Sequence, residues 1–91
     1  MRPGTPSIEQ IRTVLAVVEE GSFAAAGRRL RRATSVVSYA IANIEAQLGV
    51  RLFAREGTRK PRLTAEGAAV VEELRRIEAA LAGLGDRKSV V

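Results

Sequence analysis

The chain is 91 residues long, 46% of them hydrophobic but only 3% aromatic, and it carries a formal net charge of +5. This length allows one small domain, whose core must be built from Leu, Ile, Val and Ala. The sequence contains no Cys and no His, which excludes thiolate and imidazole metal sites, disulfides and histidine-based triads. Nine of the ten acidic residues are Glu, with no suitable base beside them. We therefore expect no enzyme activity, no metal and no cofactor.

No segment of the sequence is typical of targeting to a membrane. The amino terminus, "MRPGTPSIEQ", lacks the apolar run of a signal peptide. The longest uncharged run, Ala33 to Ile44, has twelve residues, whereas a membrane-spanning helix needs about 20. We expect a soluble, cytoplasmic protein.

The excess positive charge lies in the middle of the chain. Residues 23–62 carry nine Arg or Lys against two Glu, a net charge of +7, whereas residues 1–22 and 63–91 each carry a net charge of −1. The densest part is "RRLRR", which begins at Arg28. A cationic block between near-neutral segments is typical of a surface that binds nucleic acid.

Capping residues and apolar spacing predict two helices in the first third of the chain. Ser7 and Gln10 fit a capping box that opens a helix, and Gly21 ends it. Ser22 then caps a short helix from Phe23 to about residue 30. The small residues of this second helix allow another helix to approach closely.

A third helix is predicted after a tight turn. Thr34 or Ser35 is expected to cap it, and Gly49 is expected to end it after Leu48. Its apolar residues recur at spacings of four and three and form one core-facing stripe: Val37, Ile41, Ile44 and Leu48.

The pattern then changes from helical to extended. The segments "VRLFAR" and "KPRL" predict a small β-hairpin connected through "EGT", with Pro61 placing the second strand at an edge. Thr64 is then expected to cap a long fourth helix with a heptad-like seam. The seam consists of Val70, Leu74, Ile77, Leu81 and Leu84. The first two turns can pack on the core of the domain, but the farther end extends beyond it, so we expect a second copy to cover the seam in a homodimer.

These elements predict a mainly α fold, a winged helix-turn-helix with a three-helix core and a small β-hairpin wing, followed by a long linker and dimerisation helix. The predicted regions are a disordered arm at 1–6, the winged helix-turn-helix at 7–63, the linker helix at 64–85, and a tail at 86–91 that is frayed or marks the boundary of a longer chain. In this fold the third helix lies in the DNA major groove and the wing touches the adjacent backbone.

The outward face of the third helix fits a groove-reading role. It presents Ser35, Val36, Ser38, Tyr39, Ala42 and Asn43, which carry hydroxyl, amide or apolar groups and no charge. Base edges are read by such hydrogen-bonding tips, and thymine methyl groups by apolar side chains. A face covered by another subunit would also lack charge, but it would not require arginine-rich flanks. Membrane binding is disfavoured because the apolar stripe is narrow and Trp is absent.

The arginines and the single lysine of the cationic block are the candidate phosphate ligands. We expect this role for Arg28, Arg31 and Arg32 after the second helix, and for Arg55, Arg59, Lys60 and Arg62 in the wing. Helix geometry points neighbouring residues in different directions, so at least one of the four arginines of "RRLRR" is expected to be merely solvated.

The string "GSFAAAGRRLRRATSVVSYAIANIEAQLGVRLFAR", followed by "RLTAEG", resembles the amino-terminal DNA-binding domain of LysR-type transcriptional regulators over roughly residues 7–84. The resemblance implies a bacterial transcription factor that binds a dyad-symmetric operator on double-stranded DNA in the nucleoid. It also implies a dimer through the linker helix, and commonly a tetramer in the longer proteins. A small-molecule effector is implied only where an effector domain follows that helix, so the chain is expected to be a DNA-binding fragment.

The resemblance also assigns individual residues. Groove contacts would come from Thr34, Ser35, Ser38 and Tyr39, and the wing arginine would be Arg55. The chain departs from the common pattern, because relatives usually carry Ser-Gln at the positions of Ala33 and Thr34 and often a long side chain such as Arg at Tyr39. We therefore expect DNA shape and apolar or hydroxyl contacts to carry more of the specificity.

Two alternatives remain at this point. The winged-helix domain of molybdate-responsive regulators shares the helix order and a Leu-Thr-x-x-Gly after the wing, although "LGVRLFAR" favours the LysR type. A protein-interaction or dimerisation module would explain the amphipathic helices but leaves the cationic block without a role.

Overall fold

Four helices and one two-stranded antiparallel sheet form the fold of the residues that the structure describes. The computed structural model describes residues 4–54 and 60–86, the side chains of the last two excepted. The elements in chain order are α1 (Ile8–Glu20), α2 (Phe23–Leu30), α3 (Thr34–Leu48), β1 (Phe53–Ala54), β2 (Arg62–Leu63) and α4 (Ala65–Asp86). This is the predicted order of a winged helix-turn-helix with a trailing helix. None of the described helices is long and apolar enough to cross a membrane.

The ends of α1 are the ones that the sequence predicts. The Ser7 hydroxyl accepts a hydrogen bond from the Gln10 backbone N–H at 3.1 Å, and the Gln10 side-chain oxygen accepts one from the Ser7 N–H at 2.8 Å. Gly21 ends the helix with φ 80°, and its N–H donates to the Val17 carbonyl at 2.9 Å. The capping box and the glycine stop are both confirmed.

The turn between α2 and α3 is very tight. Arg31 has a φ of 59°, the only positive φ outside glycine among the described residues. The Arg32 N–H donates to the Gly27 carbonyl at 2.8 Å, and a Cβ added to Gly27 would lie 2.7 Å from the Arg32 carbonyl oxygen. Gly27 must therefore lack a side chain, because the turn after α2 folds back against the helix at this residue.

This turn makes the predicted cap of α3 wrong. The N-cap is Ala33, with φ −63° and ψ 148°, rather than Thr34 or Ser35. No side chain among the described residues caps the helix, and the Ala33 carbonyl accepts from the N–H groups of Val36 and Val37 at 3.0 and 3.2 Å. Because the turn is short, the helix begins one residue early and the two hydroxyl residues lie exposed in its first turn.

The core lies between α1, α2, α3, the start of the hairpin and the first half of α4. Its most buried large side chains are Val14, Leu15, Val17, Val37, Ile44 and Leu52. Phe23 and Phe53 pack edge to face, with ring centroids 5.9 Å apart, and connect the start of α2 to the hairpin. The predicted α3 stripe is confirmed, with Leu48 packed against the core as a partly buried residue.

The predicted seam of α4 needs a correction at its start. Leu74 is only 3% exposed and belongs to the core of this chain, as does Val71, which the seam did not include. Val70 is partly buried against the same core. The helix therefore uses its first two to three turns for its own domain. Ile77 and Leu84 are 43% and 61% exposed, and Leu81 between them is partly buried.

The hairpin connects α3 to α4, and its two ends meet where Thr64 is hydrogen-bonded to Leu52. Phe53 pairs with Leu63 and Ala54 with Arg62. The Thr64 N–H donates to the Leu52 carbonyl at 2.9 Å, and the Thr64 hydroxyl accepts from the Gly67 N–H at 2.8 Å as the predicted cap of α4. The predicted connection "EGT" lies outside the described residues.

The two ends of the chain are described only in part. Of the predicted arm at 1–6, residues 1–3 lie outside the described range, and a Cβ added to Gly4 would lie 3.4 Å from the Gln47 carbonyl oxygen. Residues 87–91 of the predicted tail also lie outside it. Helix α4 starts one residue after the predicted linker helix and ends one residue after it.

Candidate nucleic-acid interface

The exposed face of α3 is uncharged. Tyr39 is 70% exposed and Val36 is 44% exposed, the two large apolar side chains that α3 leaves uncovered. Thr34, Ser35, Ser38 and Ala42 are also exposed, whereas Asn43 is half-buried. Residues 35, 38, 39 and 42 recur at spacings of three and four and therefore share one side of the helix. The predicted groove-reading residues thus lie together, with Asn43 at the margin.

Two exposed arginines flank the amino-terminal end of this face. Arg28 lies in the last turn of α2, and Arg31 is the left-handed residue that ends that helix. Neither forms an ion pair with any side chain in the described parts of the chain. Both guanidinium groups are therefore available to an anionic partner.

Arg29 forms ion pairs within the chain, whereas the sequence analysis expected at least one of the four arginines to be merely solvated. Its Nη1 atom lies 2.7 Å from the Glu19 carboxylate and 3.4 Å from the Glu20 carboxylate at the end of α1. The hydrogen bond that Arg29 donates to Glu19, with smaller contributions from the charges of Glu19 and Glu20, raises the pKa of Arg29 above its ordinary value. This residue ties α2 to α1 and is not in the predicted phosphate-binding set.

Arg32 has an intramolecular partner that the sequence analysis missed. Its Nη2 atom lies 2.6 Å from a carboxylate oxygen of Glu9 in the first turn of α1, and both side chains remain substantially exposed. The pair joins residues 23 positions apart, so no local sequence pattern could reveal it. Glu9 therefore balances the charge of Arg32, which is one of the predicted phosphate ligands.

The described part of the hairpin contributes further cations. Lys60 and Arg62 are exposed, as is Arg51 at the entry to β1, which the sequence analysis did not select. Arg55 and Arg59, the other two predicted wing residues, lie outside the described residues.

A carboxylate next to the exposed face of α3 was also missed. Glu45 lies seven residues after Ser38 and three after Ala42, so it lies on the same side of the helix. One of its carboxylate oxygens accepts hydrogen bonds from the backbone N–H groups of Leu52 and Phe53, at 2.8 and 3.2 Å. Its charge is directed at the hairpin entry.

An exposed, uncharged helix face with arginines at its end and a basic hairpin beside it is the arrangement that a groove-reading domain requires. Residues 8–68 match the family model of bacterial regulatory helix-turn-helix proteins of the lysR family. The chain belongs to the LysR family. It is a LysR-type helix-turn-helix DNA-binding domain, which confirms the family that the sequence resembles.

Curated relatives of this LysR-type domain are bacterial regulators. The chain is 46% identical over 65 residues to the HTH-type transcriptional regulator AceR of Acinetobacter baumannii, an alignment that covers 71% of this chain and 22% of AceR. It is 44% identical over 70 residues to an uncharacterised HTH-type transcriptional regulator of Azotobacter vinelandii, covering 77% of this chain and 48% of that protein. The chain thus spans between about a fifth and a half of these relatives.

Solved structures of the same family have the same fold. The CbnR DNA-binding domain in complex with DNA aligns with a TM-score of 0.82 and 36% identity, covering 92% of this chain and 95% of that one. The BenM DNA-binding domain bound to benA site 1 DNA aligns with a TM-score of 0.85 and 29% identity, covering 91% and 92%. Full-length CbnR aligns with a TM-score of 0.80, and the matched part is 28% of that chain. The predicted winged helix-turn-helix fold is confirmed.

Proposed function

We propose that this domain binds double-stranded DNA with a sequence preference, with α3 in the major groove and the hairpin on the adjacent backbone or minor groove. The observation that carries this proposal is the uncharged, exposed face of α3, with Arg28 and Arg31 exposed at one end. The likeness to the CbnR and BenM DNA-binding domains, whose structures are complexes with DNA, supports the binding of DNA.

Apolar and hydroxyl contacts would supply the base readout. Guanine is usually recognised by a bidentate Arg or Lys, and adenine by Asn or Gln. The exposed face of α3 carries none of these, and its Asn43 is half-buried. Val36 and the Tyr39 ring offer apolar surface that suits thymine methyl groups, while Ser35 and Ser38 offer hydroxyls. Sequence-dependent groove shape would supply the rest of the preference.

The surrounding cations would hold the phosphates. Arg28 and Arg31 have no competing carboxylate among the described residues, so they are the first candidates, whereas Arg32 must share its charge with Glu9. The hairpin would add Lys60 and Arg62, together with Arg55 and Arg59. Each neutralised phosphate lowers the log–log slope of affinity against salt by about 0.9.

A homodimer is the proposed working form. Ile77, Leu81 and Leu84 continue the seam of α4 beyond the core, and Ile77 and Leu84 are exposed apolar side chains. A second copy packed on this seam would create a two-fold axis, and a two-fold dimer reads a dyad-symmetric operator. We place this activity in the bacterial cytoplasm, at the nucleoid. A small-molecule effector, and a tetramer, are proposed only for a longer protein in which an effector domain follows α4.

Selection of bound duplexes from a random pool, followed by mobility-shift titrations at several salt concentrations, tests the proposal. We expect one enriched site with two half-sites, a preference for that site over a scrambled duplex, and a steep loss of affinity with salt. Equal binding to both duplexes with no salt dependence would refute DNA recognition and favour a protein-interaction module.

Three variants separate the proposed roles. Tyr39→Ala should reduce the preference for the selected site over the scrambled duplex by about tenfold, because a good base contact contributes about 1–3 kcal/mol of discrimination. Arg31→Ala should weaken both duplexes equally and make the salt slope less steep by about 0.9. Arg75→Ala on α4 removes an exposed arginine that, like Arg31, forms no ion pair among the described residues, and it should change neither quantity. A uniform loss from Tyr39→Ala would contradict its role as a reader.

A further inference from the structure

Glu45 organises the whole connection between α3 and the hairpin. Its backbone carbonyl accepts from the N–H groups of Gly49 and Val50 at 2.9 and 3.3 Å, which closes the helix. Its carboxylate accepts from the N–H groups of Leu52 and Phe53 at 2.8 and 3.2 Å, both to the same oxygen. One residue thus receives four backbone N–H groups from the five residues 49–53.

The location of this carboxylate is unusual for an acidic residue. Glu45 is one of only two acidic residues in the block 23–62, whose net charge is +7. It lies on the same side of α3 as Ser38 and Ala42, so it borders the face proposed to enter the groove. A carboxylate beside DNA phosphates is unfavourable unless its charge is directed elsewhere. Here the carboxylate accepts hydrogen bonds from the backbone N–H groups of Leu52 and Phe53, which direct its charge towards the hairpin.

The orientation of the hairpin relative to the helices depends on the hydrogen bonds that connect it to them. Each described strand has two residues, and a two-stranded hairpin is marginally stable by itself in water. It is fixed to α4 by the Thr64 N–H, which donates to the Leu52 carbonyl at 2.9 Å. On the α3 side, the hydrogen bonds to Glu45 are charge-assisted and therefore roughly twice as strong as neutral ones.

We propose that Glu45 is a positioning residue, which sets the hairpin relative to α3 so that both engage one duplex at the same time. This inference rests on the proposed DNA binding and deepens it. Glu45 touches no base or phosphate in this mechanism. It acts through Leu52 and Phe53. Its loss leaves the exposed face of α3 unchanged, but the cationic side chains of the hairpin no longer lie opposite the phosphates of the DNA backbone.

A double-mutant cycle tests the proposal on the whole chain and the selected duplex. Removing the hairpin charges with Lys60→Ala and Arg62→Ala should weaken wild-type binding about tenfold, which corresponds to about 1.4 kcal/mol. In a Glu45→Ala background the same two changes should cost less than about twofold, because the hairpin no longer reaches the backbone. Glu45→Gln keeps a side-chain oxygen at the same reach but forms only neutral hydrogen bonds, so it should restore part of the tenfold effect.

Several results would overturn the inference. Additive losses in the cycle would mean that Glu45 serves folding alone. An absence of any effect of the hairpin charges in the wild type would remove the contact that Glu45 is proposed to position.

Two further measurements keep the test decisive. If Glu45→Ala does not fold, Glu45→Asp, whose carboxylate is one methylene shorter, replaces it, with circular dichroism as the check on folding and the same loss of coupling expected. If the wild type binds no duplex at all, the proposed function itself fails, which is a result distinct from additive losses in a chain that binds.

Discussion

Gly67 gives the sharpest prediction about stability, because it lies where α4 meets the hairpin. The residue is buried in the first turns of α4. A Cβ added there would lie 2.1 Å from the Leu52 carbonyl oxygen and 2.9 Å from the carbonyl carbon and the Cα of Leu52. These are backbone atoms of a junction that is also bonded to Thr64 and Glu45. The clash therefore cannot be relieved by rotating a side chain.

The expected loss follows from two opposing effects of Gly67→Ala. Alanine favours a helix over glycine by about 1 kcal/mol. Against this, 2.1 Å is 1.3 Å short of the 3.4 Å at which ordinary contact begins, so α4 must move away from the hairpin. Forced overpacking typically costs about 1–3 kcal/mol, and a rigid backbone neighbour places this case at or above the upper end. We expect a net destabilisation of about 2 kcal/mol.

Thermal and urea unfolding followed by circular dichroism, at one fixed protein concentration, measures this difference. In a domain of this size about 2 kcal/mol corresponds to a fall in Tm of roughly 8–16 °C. Gly83→Ala in the same helix is the matched control. Its added Cβ meets nothing within 4 Å, so it should stabilise the chain by up to about 1 kcal/mol. A Gly67→Ala variant as stable as the wild type would refute the reasoning from close approach.

Two further predictions concern the charged surface and the assembly. Glu9→Gln removes the carboxylate that holds Arg32, so affinity for the selected duplex should rise at low salt and the salt slope should steepen by about 0.9. An unchanged slope in mobility-shift titrations would show that Arg32 does not reach a phosphate. Leu81→Glu should give monomers in sedimentation experiments because it places a charge in the proposed seam, whereas Ala79→Glu, on the opposite side of α4, should leave the dimer intact. A Leu81→Glu variant of unchanged mass would contradict that interface.

The sequence by itself determined the features that depend on neighbours within one turn. The capping box of Ser7 and Gln10, the cap of α4 at Thr64, and the stops at Gly21 and Gly49 are bonds between residues three or four positions apart or single backbone conformations. They are readable from spacing because local geometry decides them. The face of α3 followed from the same periodicity, and the LysR resemblance followed from an ordered set of such features.

Only the tertiary structure decided where the chain folds back on itself. The tight turn at Arg31, against Gly27, moved the cap of α3 to Ala33. The partners of Arg32 and Glu45 also come from outside their own helical turns. Val70 and Val71 are equally apolar, so their sequence does not say which one faces the core. That depends on the rotation of α4 about its axis, which the contact of Gly67 with the Leu52 backbone sets.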